Sequence, residues 1–98
     1  MVIKDAVIQN INLTNGTDGK SVGVLIHLRD ADGVPYALMC CTEWNNNYNL
    51  DELLMALCKF TINQTHINVH FMDGELVVEN PAEKMSMYSF GNHWIQIS

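Results

Sequence analysis

The stretch Asn49 to Thr61, NLDELLMALCKFT, decides the fold. At about 100° per residue, Leu50, Leu53, Leu54, Leu57 and Thr61 fall on one side of a helix, with Cys58 and Phe60 flanking them. Asp51, Glu52, Met55, Ala56 and Lys59 share the other side. Asn49 is placed to cap the first turn, and Glu52 three residues on supplies the reciprocal half of a capping box. An apolar stripe of that width must be buried against something, and the chain on both sides reads as strands. The expected fold is therefore α+β, with an antiparallel sheet of about five or six strands packed on a single helix. Three strands precede the helix, and a hairpin and a C-terminal strand follow it.

On the N-terminal side, VIKDAVIQNINL (2–13) alternates. Ile3, Val7, Ile11 and Leu13 share one face, while Val2, Lys4, Ala6, Ile8, Asn10 and Asn12 share the other. A strand this long is expected to bend or bulge in its middle. Asn15-Gly16-Thr17-Asp18-Gly19 reads as a loop. The second strand sends Val22, Val24, Ile26 and Leu28 one way and Gly23, Leu25, His27 and Arg29 the other. Asp30-Ala31-Asp32-Gly33 is a tight connection with Gly33 in the left-handed position. The third strand runs from Val34 to about Glu43, and Pro35 is tolerable near its start. Trp44 and Asn45-Asn46-Asn47-Tyr48 lead into the helix.

Beyond the helix, His66 to Asn80 is the clearest hairpin in the chain. A two-residue Asp73-Gly74 turn pairs Met72 with Glu75, Phe71 with Leu76 and Val69 with Val78. Ile67, Val69, Phe71, Leu76 and Val78 then form an apolar face under the helix. His66, Asn68, His70 and Met72 lie on the reverse face against Glu75, Val77 and Glu79. Pro81 ends the hairpin, and Met85 to Ile97 reads as a strand broken at Gly91-Asn92.

Ninety-eight residues make a single domain, 1–98, with enough chain for a core. Apolar residues are 48% of it and charged residues only 16%, against about 25% in an ordinary globular protein. That excludes disorder and leaves apolar surface for a partner or a second copy. Eleven acidic and five basic groups sum to −6, and Arg29 is the sole arginine. Phosphate recognition leans on Arg forks and Lys clusters, so direct nucleic-acid binding is not expected. A basic protein partner suits the charge. Three cysteines, two of them adjacent at Cys40-Cys41 and without zinc spacing, read as reduced thiols in a cytoplasm. No signal-like or membrane-length apolar run is present, so neither export nor membrane insertion is expected. The sequons at Asn12, Asn15 and Asn63 are chance matches in that setting.

The residues with chemical potential are few. His66, His70, Glu75 and Glu79 share the reverse face of the hairpin, where a His–Glu pair is capable of acid–base work. No nucleophile accompanies them, two His four apart on a strand lie about 13 Å apart, and a polar face is the simpler account. Tyr88, Phe90, His93 and Trp94 concentrate aromatics near the C-terminus, suited either to a binding surface or to the core. Trp44 and Tyr48 before the helix pose the same choice. Met55, between Asp51 and Lys59 on the charged side of the helix, is an adaptable apolar group of the kind used at binding surfaces. No phosphate-cradling, hydrolase, zinc-protease or EF-hand motif occurs, so neither catalysis nor a cofactor is expected.

Small size, acidity, no signal segment and no catalytic motif make the overall profile similar to that of toxin-immunity proteins and of phage proteins that block host defences. No motif carries that similarity. The expectation is a binding protein that inhibits a macromolecular partner, its charge steering the encounter and its aromatics supplying affinity. The alternative is a homo-oligomer that holds a small ligand between subunits.

Overall fold

A computed structural model describes residues 1–15, 21–43, 50–72, 74–84, 86–90 and 93–97. The loop at 16–20, the lead-in Trp44 to Tyr48, the capping Asn49, Asp73 and the break at Gly91-Asn92 lie outside the described residues. Seven strands and one helix follow in the order β1 (Val2–Asn15), β2 (Ser21–Arg29), β3 (Pro35–Glu43), α1 (Leu50–Ile62), β4 (Ile67–Met72), β5 (Glu75–Asn80), β6 (Ser86–Phe90) and β7 (Trp94–Gln96). All pairings are antiparallel, in the spatial order β6-β5-β4-β1-β2-β3-β7.

The sheet-and-one-helix plan is as expected, and the strand count is corrected from five or six to seven. The extra strand arises because the C-terminal segment divides. β6 pairs with β5 at one edge of the sheet, and β7 pairs with β3 at the other. Four residue steps join Phe90 to Trp94, a reach of about 14 Å. Six strand spacings in a flat sheet would separate those edges by about 29 Å. The sheet is therefore curled until its edges approach. The backbone N–H of Trp94 donates to the carbonyl of Gly74 in the β4–β5 turn (2.8 Å), tying one edge to the opposite half.

β1 is the strand both halves share, and here the simple alternation fails. Ile3 pairs with Val69 but Ala6 with Ile67, so β1 carries one extra residue between them. Asp5 absorbs it at φ 53, a left-handed conformation in which Asp is among the more tolerant residues. The bulge flips the parity, so that Ile3, Ala6 and Ile8 all face the core, and Val7 does not. A second irregularity between Ile8 and Asn10 flips it back, returning Ile11 to the core side. The expected grouping of Ile3 with Val7 is corrected accordingly.

β2 alternates as read, with Val22, Val24, Ile26 and Leu28 buried. In its turn into β3, Gly33 takes φ 81. Asp30 Oδ1 accepts the N–H groups of Asp32 and Val34, both at 2.9 Å, and Arg29 donates to the Gly33 carbonyl at 2.8 Å. Burial beside Asp30 raises the Tyr36 hydroxyl above its usual pKa, and the same carboxylate, within 3.4 Å of the phenol oxygen, adds to it.

α1 buries Leu53, Leu57 and Phe60 in the same core as the strands, with Leu54 packed alongside. Phe60, read as a flanking residue, is thus central. Each such side chain contributes about 1.5–3 kcal/mol on burial. Acidic Asp51 and Glu52 in the first turn and Lys59 in the last suit the helix dipole. The helix ends in a Schellman motif: Thr65 N–H donates to Phe60 O (3.0 Å) and Gln64 N–H to Thr61 O (3.2 Å), with Gln64 at φ 49.

Candidate functional surface

The β4–β5 register follows the Asp-Gly turn as read, with Met72 opposite Glu75, His70 opposite Val77 and Asn68 opposite Glu79. Two neighbours extend that outer face into rows. Val2, His70, Val77 and Ser89 form one row, and Asn68, Glu79 and Met87 the next.

The four expected polar residues do not act as one group. His66 Nδ1 lies 3.0 Å from Asp5 Oδ1 at the β1 bulge, where the Asn68 side chain also accepts the Asp5 backbone N–H at 3.0 Å. His70 Nε2 lies 3.3 Å from Glu79 Oε2. Glu75 turns instead to β6, accepting the Ser89 hydroxyl at 2.8 Å. The bulge dictates this division, because it brings Asp5 to His66 and leaves His70 for Glu79. The His66–Asp5 pair is exposed to solvent and the His70–Glu79 pair is half-buried. Among the described residues, no group of three or more His, Cys, Asp or Glu is placed to hold a metal ion.

The aromatic cluster also divides. Trp94 is only 1% exposed, a core residue on β7 opposite Cys40, and its indole N–H has no partner among the described residues. Tyr88 faces the helix, its ring edge-on to Phe60 at 5.5 Å between centroids. Beside it, Ala56, Lys59, Asn63, Thr65, Asn80 and Glu83 line a cleft of about 60 Å³, far below the roughly 300–1,000 Å³ of a metabolite site. His93 is exposed and sits over Gly74. Trp44 and Tyr48 lie outside the described residues.

Met55 is 72% exposed, and it is not alone. Cys58 and Ile62 are exposed on the same side of α1, Ile62 at 80%. Met72 is 68% and Met87 61% exposed, on β4 and β6 respectively, with Val2 also open to solvent. Alternation along 66–72 places Met72 on the reverse face, whereas nothing local signals Met87, because its exposure depends on the pairing of β6 with β5. Asp5 was missed because no glycine marks the bulge.

Among the described residues, no helix is long and apolar enough to cross a membrane. The single arginine is engaged in the β2–β3 turn. Comparison with family models, curated proteins and solved structures yields no match.

Proposed function

We propose that this chain is a small acidic binding protein that engages a protein partner and neutralises it by contact, without catalysis, in the manner of toxin-immunity or phage anti-defence proteins. One observation carries the reading. The outer face of β4, β5 and β6 sets exposed Met72 and Met87 among Glu75 and Glu79 on a regular, hydrogen-bonded platform. Methionine adapts to the shape of an apolar anchor. Carboxylates around it favour a basic rim on the partner and speed the encounter. The chain's net charge of −6 acts in the same sense.

The test is native mass spectrometry on the chain recovered gently from its own source. The expected result is a heteromeric mass containing one foreign protein, lost in the Met72→Glu/Met87→Glu double variant although its thermal unfolding is unchanged. Adding the wild-type chain to that protein is expected to suppress its activity. A homo-oligomer carrying a small extra mass and no foreign chain overturns the proposal.

A further inference from the structure

We infer that the free edge of β6 accepts an added strand from a basic, extended segment of a protein partner, an inference that rests on the protein-binding reading above. β6 is the last strand in the sheet order, and among the described residues nothing pairs with its far side. Proteins blunt such edges with short strands, Lys, Pro or bulges. The opposite edge follows that rule: β7 has three residues and covers only Leu38 to Cys40, and β3 opens with Pro35. β6 does not follow it. Ser86-Met87-Tyr88-Ser89-Phe90 has no charge and no proline, and it pairs with β5 residue for residue without a bulge.

Charge selects the occupant. Glu75 accepts from Ser89, Glu79 pairs with Met87, and Glu83 accepts from the Ser86 hydroxyl at 3.1 Å. Carboxylates thus follow the strand along its length. The cations nearby are Lys84, in the turn before β6, and Lys59, on the helix side behind Tyr88. His70 lies against Glu79. A second copy pairing through β6 would bring three more glutamates towards the seam with Lys84 to offset them, whereas a basic segment brings cations alone. A segment alternating Lys or Arg with apolar residues meets both faces. Its cations lie beside the Met87–Ser89 side within reach of Glu75 and Glu79, and its apolar residues continue the row of Tyr88 and Phe90. Main-chain hydrogen bonds supply affinity in such strand addition, and the alternate side chains supply specificity.

The probe is a short fluorescein-labelled peptide alternating lysine and valine, with a glutamate-for-lysine twin as control. Anisotropy reports binding, and amide hydrogen exchange reports where. The lysine peptide is expected to bind and to slow exchange within residues 86–90, and the twin is expected not to bind. Glu75→Gln/Glu79→Gln keeps the hydrogen-bond acceptors and is expected to weaken binding by roughly two- to tenfold, the range for two partly exposed ion pairs. Equal binding of both peptides, protection confined to other strands, or self-pairing of the chain through β6 overturns the inference. If the chain binds a foreign protein while exchange at 86–90 stays unchanged, the edge proposal falls and the protein-binding reading stands. If no foreign protein is bound from the native source, that reading fails on its own test, whatever the peptide does.

Discussion

On one side of β1, β2 and β3 send Val22, Val24, Ile26, Leu28, Leu38 and Cys40 into the core, and β7 adds Trp94. On the other side, β4 and β5 bury an equally regular set, Ile67, Val69, Leu76 and Val78. The outward faces differ. The β4–β5–β6 half carries the His70–Glu79 and Glu75–Ser89 pairs and the exposed methionines, and β1 bulges at Asp5 where it joins that half. Both halves are packed alike inside, so the contrast lies in what each leaves on its surface and at its edge. On the proposed binding role, stability rests on the interior that both halves share and recognition on the outer face of one, and substitutions ought to sort the same way.

The sharpest way to break the comparison is Trp94→Ala. It opens a large cavity where β7 meets β3 and is expected to cost about 3–5 kcal/mol in denaturant unfolding. Trp94→Phe removes less volume and discards an indole N–H that has no partner among the described residues, so it is expected to cost markedly less. If the two cost the same, the indole nitrogen has a role that packing does not describe.

Next is the point where the halves are tied. Gly74 has φ 80, and a Cβ there would run into the His93 ring. Gly74→Ala is expected to cost about 1–2 kcal/mol for the left-handed backbone alone, and more for the collision. His93→Gly in the same chain is expected to recover only the collision part. Full recovery would mean that the backbone strain is negligible. The smallest effect is a gain: Gln64→Gly relieves the left-handed helix end, and after the entropy glycine restores to the unfolded chain a net of about 0.5 kcal/mol is expected. A loss there would mean that the Gln64 side chain makes contacts worth more than the strain.

Local chemistry made much of this fold readable. The Asp-Gly pair set the β4–β5 register down to Met72 opposite Glu75, and Gly33 marked its own turn. Strict alternation identified the core face of β2 because nothing interrupts it. β1 misled the same rule, since a bulge formed at an aspartate has no glycine to announce it and reverses the side chains after it until the second irregularity between Ile8 and Asn10 restores them. The parting of β6 from β7 was unreadable for another reason. It depends on how far the sheet curls, a property of the assembled molecule with no local residue pattern. The site suffered from both: His66 was grouped with His70 until the bulge gave it Asp5 instead, and Met87 came to the surface only through a pairing between distant segments.

The shared strand has a kinetic consequence. The β2–β3 connection is closed by contacts four residues apart in the chain. At the other side of β1, Met1 reaches the carbonyl of Phe71, a separation of 70 residues. Closed from an open chain, the second contact costs about 2.5 kcal/mol more in loop-closure entropy than the first. The β1–β2–β3 meander and the β4–β5 hairpin, whose Met72–Glu75 pair closes just as locally, are therefore the early structures. Joining of the two at β1 is the slow event, and it brings Val2 opposite His70 and Asp5 to His66. The surface proposed for binding thus forms within its own half, and only its margin at Val2 and Asp5 waits for the two halves to join.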